Sequence, residues 1–122
     1  MTTLLRTIYL KSEGQLNGGR PLYVVVRTVD EQSFLADTYG KLAKVVTASP
    51  RDADVLKVLL LWPEAKNEVT IEVPTDKAIG LYCLFTHPGN QWKVLFPSPM
   101  ASNVHLRLVR GNVMVDRRSK RR

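Results

Sequence analysis

The stretch from Arg20 to Val46, RPLYVVVRTVDEQSFLADTYGKLAKVV, constrains the fold most, because the hydrophobic period of the chain changes within it. Leu22 to Val26 is a short apolar run whose β-branched residues suit a strand buried on both faces. After a polar turn, Thr28 to Gln32, the residues Phe34, Leu35, Thr38, Leu42 and Val45 recur at spacings of three and four, which places them on one face of a helix. Ser33 fits as its N-cap, because its hydroxyl can accept an unpaired first-turn N–H. Asp30 is an earlier alternative, with Glu31 then favourably placed against the helix dipole. Everything else reads as β-structure, so one helix after the second strand is what the fold must accommodate.

The remaining strands are marked by alternation. Leu4, Arg6, Ile8 and Leu10 share one side of a first strand. Val55 to Trp62 is apolar almost throughout and ends at Pro63, which favours a strand over a helix. Glu68 to Val73 alternates cleanly, with Val69, Ile71 and Val73 inward. Leu81, Cys83 and Phe85 form one face of the next strand, and Trp92, Val94 and Phe96 one face of another. Val104, Leu106 and Leu108 follow, then Gly111-Asn112 as a two-residue hairpin turn and Val113 to Val115 as the last strand. About eight short strands with Pro, Gly and Asn between them predict a two-sheet β-sandwich with one helical insertion. Residues 1–115 are expected to form this single domain, and residues 116–122 a flexible basic tail.

No catalytic constellation is visible. His105 falls on the polar face of a strand and His87 in a turn, neither with metal-ligand spacing or a nucleophile beside it. Phosphate-cradling, hydrolase and zinc motifs are missing. Cys83 sits in the apolar run GLYCLF and reads as a small buried hydrophobe. Asp52 and Asp54 can pair with Arg51 or touch a cation, but a cation needs a fuller set of oxygens, so a solvated loop is expected there. Trp62 and Trp92 lie within apolar patterns and read as core, which leaves no stacking platform for bases. No enzyme activity, cofactor or metal is therefore expected; the chain reads as a binding module.

Charge narrows the partner only slightly. The net charge is +7, yet DRRSKRR at the C-terminus holds five of the eighteen basic residues and one of the eleven acidic ones, leaving a body at +3. A small basic β-module binding nucleic acid is thus an alternative that rests mainly on the tail. No apolar run approaches the roughly 20 residues that cross a bilayer as a helix. The opening MTTLLRTIYL is too short and too quickly polar for a secretory signal.

The clearest loop is Ser12 to Pro21, SEGQLNGGRP. Asn17-Gly18-Gly19 permits positive φ, and Pro21 fixes re-entry into the second strand. Its ten residues exceed what a hairpin needs, and long loops more often carry function.

The order of these features resembles the TssJ family, outer-membrane lipoproteins of bacterial type VI secretion. The matching positions are Leu16, Asn17, Gly19, Arg20, Pro21 and Leu22, then Phe34, Ala36, Asp37 and Tyr39. Downstream, EVTIEV, GLYCLF, Trp92 before KVLFP, and the closing VHLRLVRGNVMV fall in the family's order, so the resemblance spans about residues 5 to 115. Two departures stand out: this sequence carries neither the family's signal peptide nor its lipidated N-terminal cysteine, and Glu64-Ala65-Lys66-Asn67 replaces a turn that usually holds glycine. The resemblance implies a structural protein on the periplasmic face of the outer membrane, anchored through an N-terminal lipid. Its partner would be the C-terminal periplasmic region of the inner-membrane protein TssM, and nucleic acid is not expected. Contact through the loop between the first two strands maps onto Glu13, Gln15, Leu16, Asn17, Gly18, Gly19 and Arg20. Leu16 would be the apolar anchor and Arg20 a charge-pairing group. On this reading, replacing Leu16 and Asn17 weakens partner binding without changing the melting temperature. Another secretion-associated, pilotin-like lipoprotein is a further alternative.

Overall fold

The alternation seen in the sequence closes into two four-stranded sheets in the computed structural model, which describes residues 3–13, 17–48, 52–98 and 100–115. The strands are β1 Thr3–Ser12, β2 Leu22–Val29, β3 Val55–Leu61, β4 Lys66–Pro74, β5 Ala78–Leu84, β6 Lys93–Phe96, β7 Asn103–Val109 and β8 Asn112–Val115. One sheet has the order β4-β1-β7-β8, with β1 and β7 parallel; the other, β3-β2-β5-β6, is antiparallel throughout. The sandwich core holds the expected inward residues: Ile8 and Leu10, Ile71 and Val73, Leu81, Cys83 and Phe85, and Val104, Leu106 and Leu108. Cys83 is fully buried among them, and that burial pushes its thiol pKa up, in keeping with a packing role.

β2 is buried on both faces, as its β-branched run predicts. Val24 and Val26 enter the sandwich core, while Val25 and Val29 enter a second core on the outer side of the same sheet. That outer core also takes Phe34, Leu42 and Tyr82, so the molecule has three layers, sheet on sheet and helices on one outer face.

The expected single helix is two: α1 Glu31–Ala36 and α2 Tyr39–Thr47. The break falls at Asp37-Thr38, where side-chain hydrogen bonding outcompetes helix continuation. Thr38 caps α2, its hydroxyl accepting from the Lys41 N–H at 3.2 Å. Asp30, not Ser33, caps α1: its carboxylate accepts from the Ser33 N–H at 2.7 Å, which holds its pKa below the ordinary value. Because the break rotates the two segments, Leu35 faces solvent at 71% exposure and does not join Phe34 and Leu42.

Two turns also depart from the sequence reading. The β7–β8 hairpin turns on Arg110-Gly111, one residue earlier than expected, since Val109 pairs with Asn112. Both residues have positive φ, the requirement of the tightest hairpin turns. Between β3 and β4, Glu64 adopts a φ of 56°. The left-handed geometry that glycine would supply is therefore kept here by a residue that is strained in it.

Candidate functional site

The four connections β1–β2, β3–β4, β5–β6 and β7–β8 gather at one end of the sandwich, because β1, β3, β5 and β7 all run toward it. Residues 17–20 of the first connection are held by Asn17, which is 8% exposed. Its amide oxygen accepts from the Thr86 N–H at 2.7 Å, and its amide nitrogen donates to the Pro21 carbonyl at 3.1 Å. The Arg20 N–H donates to the Asn17 carbonyl at 3.1 Å, closing a turn in which Gly18 and Gly19 have positive φ. Asn17 was expected among the presented side chains; it points inward and shapes the loop instead. Gly18, Gly19 and Arg20 are exposed, as is Glu13, whose carboxylate lies 4.0 Å from Arg107. Gln15 and Leu16 lie outside the described residues, as does the basic tail 116–122.

The other connections are stitched to this one. Ser12 Oγ donates to the carbonyls of Trp62 and Ala65, and accepts from the Ala65 N–H at 2.9 Å. Across the end, the Gly89 N–H donates to the Gly111 carbonyl at 2.8 Å, so the β5–β6 connection rests on the β7–β8 turn. A Cβ on Gly111 would come within 2.6 Å of the His87 carbonyl, which reserves that position for glycine. Trp62 was expected in the core and is 58% exposed, because it lies just beyond edge strand β3. Near it, Leu60 and its register partner Tyr23 are also exposed. One end of the molecule thus offers a braced loop, an arginine and large apolar side chains, the composition of a protein-contact surface.

A second polar cluster was not legible from local pattern. Asp37, whose side chain is fully buried, accepts from the Tyr82 hydroxyl at 2.6 Å and lies 3.5 Å from Arg27 Nη1 and 3.0 Å from Lys41 Nζ. Arg27 also donates to Asp54 at 2.7 Å, so Asp54 belongs to this cluster and not to the solvated loop expected. Arg51 lies outside the described residues. Burial pushes the Asp37 carboxyl up, but hydrogen bonds from Tyr82 and Lys41 and the charge of Arg27 bring it below the ordinary carboxylate value. Tyr82 is shifted upward, by burial first and the bond to Asp37 second. Room for its ring comes from Gly80, where a Cβ would meet the phenol at 2.8 Å.

From β6, Lys93 donates to the carbonyls of Phe34 and Asp37 and lies 4.6 Å from the Phe34 ring centroid. Burial lowers the pKa of this lysine. Tyr39 donates to the Phe85 carbonyl, and its ring meets Trp92, which is half-buried between the two cores. These contacts fasten the helical insertion to the outer sheet by polar groups from α1, α2, β2, β5 and β6. The cluster has the character of a structural lock: its acceptors and donors are turned on one another. No group of His, Cys, Asp or Glu suited to holding a metal ion occurs among the described residues. None of the helices there is long and apolar enough to cross a membrane.

Comparison with known proteins gives the same architecture a context. The chain resembles TssJ1 of Pseudomonas aeruginosa, a type VI secretion lipoprotein, with a TM-score of 0.72 and 16% identity over 94% of this chain and 96% of that one. It also resembles Serratia marcescens Lip, a membrane-bound component of the type VI secretion system, with a TM-score of 0.74 and 13% identity over 93% and 97% of the two chains. A structure described as the TssM C-terminal domain (869–1107) from EAEC gives a TM-score of 0.75 and 15% identity over 94% and 98%. At these identities the likeness is one of fold. No curated protein matches the chain. Residues 23–108 match the family described as IglE, N-terminal domain. The chain therefore belongs to the IglE N-terminal domain family, built on the β-sandwich of the TssJ-like type VI secretion lipoproteins.

Proposed function

We propose that this protein is a structural component of a type VI secretion membrane complex, sitting on the periplasmic face of the outer membrane. It binds the C-terminal periplasmic region of a TssM-like protein through the β1–β2 loop. The observation that carries this reading is the polarity of the sandwich. The polypeptide enters β1 at Thr3, which pairs with Pro74, whereas the β1–β2 loop lies at the far end of a ten-residue strand. At about 3.3 Å per residue, the two ends are separated by about 30 Å. A lipid-bearing segment preceding β1 would therefore hold the sandwich with its connections facing away from the bilayer and toward a periplasmic partner. Support also comes from the bracing of the loop by Asn17 and from the exposed Trp62, Tyr23 and Leu60 beside it, since rigid, apolar-rich surfaces lose little entropy on binding.

Photo-crosslinking tests the site. A crosslinking residue replacing Arg20 is expected to capture the TssM periplasmic region, and one replacing Lys77, in the turn at the opposite end, is not. Capture from Lys77 alone would overturn the assignment of the contact to this end.

A further inference from the structure

A different surface carries a different inference. On the exposed face of the β4-β1-β7-β8 sheet, the register sets Lys66 and Arg107 directly opposite Lys11, one on each side. Three cations thus stand in one row across three strands, and all three are exposed. Like charges directly opposite on neighbouring strands destabilise a sheet. The nearby carboxylates offset this only in part: Glu13 reaches Arg107 at 4.0 Å, and Glu68 sits two residues along β4, opposite Tyr9. The adjoining pair is Tyr9 and His105, whose rings stack at 4.5 Å and 10° and are half-buried. Lys11, Lys66, Arg107, Glu68, Tyr9 and His105 line a concavity of about 470 Å³, in which the stacked ring pair lies beside the cation row.

We propose that this concavity docks an acidic segment of a partner polypeptide, with carboxylates at Lys66, Lys11 and Arg107 and aliphatic stems over the Tyr9–His105 stack. Carboxylates placed between the cations would relieve the repulsion built into the row. The mixed sign of the rim favours a polypeptide over a polyphosphate chain, because Glu68 among the cations repels a continuous run of phosphates. The stacked rings also turn faces toward each other, which leaves little of the open aromatic surface that bases need. The cations and rings that the proposal uses lie on β1, β4 and β7 and not in the β1–β2 loop, so it stands or falls separately from the function proposed above.

Anisotropy titration of the full chain with a labelled twelve-residue peptide of alternating Glu and Ser tests it. The variant Lys11→Gln/Lys66→Gln/Arg107→Gln is compared with Lys44→Gln/Lys57→Gln/Lys77→Gln, which removes the same charge from exposed positions elsewhere. The first variant is expected to weaken binding at least tenfold while leaving the melting temperature unchanged or raised; the second should weaken it less than twofold. Equal weakening by both, or by neither, overturns the proposal. Tighter binding of a twelve-nucleotide single-stranded DNA that depends on the same three residues also overturns it, in favour of a nucleic-acid surface. Lys11→Gln alone, which removes the central charge, keeps the test open should the triple variant fold poorly: it must raise the melting temperature and weaken the peptide at least threefold.

Discussion

Replacing Asp37 tests how the helical insertion is held. The Asp37 side chain is fully buried, and its partners are the Tyr82 hydroxyl at 2.6 Å, Arg27 at 3.5 Å and Lys41 at 3.0 Å. Of these, Lys41 is 56% exposed and can return to water, and Arg27 keeps Asp54 at 2.7 Å. Tyr82, wholly buried, has no such recourse. Asp37→Ala leaves a buried hydroxyl unsatisfied and a buried guanidinium half-paired, a loss of about 3–5 kcal/mol. For a domain of this size that is a fall of about 12–20 °C in melting temperature. Asp37→Asn keeps an acceptor for Tyr82 but removes the charge, and should cost about 1.5–3 kcal/mol. Urea unfolding followed by Trp92 fluorescence gives both values, since Trp92 packs against Tyr82 and Tyr39. A double-mutant cycle with Tyr82→Phe should show a coupling of about 1–3 kcal/mol. A loss below about 1 kcal/mol for Asp37→Ala, or an additive cycle, would refute the idea that this cluster locks the insertion.

Three further outcomes are expected. Because the folded Asp37 carboxyl titrates below its ordinary value, its contribution is complete at neutral pH and declines as acidification passes through the folded pKa; the stability gap between wild type and Asp37→Asn should be constant from about pH 8 to 5 and shrink below about 4. Asn17→Ala removes the partners of the Thr86 N–H and the Pro21 carbonyl and should cost about 1–3 kcal/mol in urea unfolding, whereas Arg20→Ala should stay within about 0.5 kcal/mol. Glu64→Gly relieves a left-handed residue and should stabilise by about 1 kcal/mol, with Glu64→Ala giving no gain in the same melts.

Most strands were legible because they bury one face, so Val69, Ile71 and Val73 or Val104, Leu106 and Leu108 write the sandwich directly into the sequence. The helical break was harder, since Phe34, Thr38, Leu42 and Val45 keep three-and-four spacing across it. Asp37-Thr38 carried the signal: two residues that favour capping over helix interiors. Trp62 misled because apolar pattern does not distinguish an edge strand's end from a core position. The Arg27–Asp37–Asp54 cluster joins residues from β2, the insertion and the approach to β3, and no local rule pairs them. Asn17 was recognised as part of the loop, but its inward direction depends on the Thr86 N–H, 69 residues away. Glycine patterns served better, because Gly18, Gly19 and Gly111 all adopt the positive φ that turns require.

The central claim is that the β1–β2 loop binds a TssM-like partner. Calorimetric titration of this domain with the periplasmic C-terminal region of its cognate TssM, repeated with the loop shortened to a tight turn, tests it most directly. Saturable binding by the intact domain, lost with the loop while the fold is retained, is the predicted result. A well-folded domain that shows no binding, or binding that survives loss of the loop, would contradict the account.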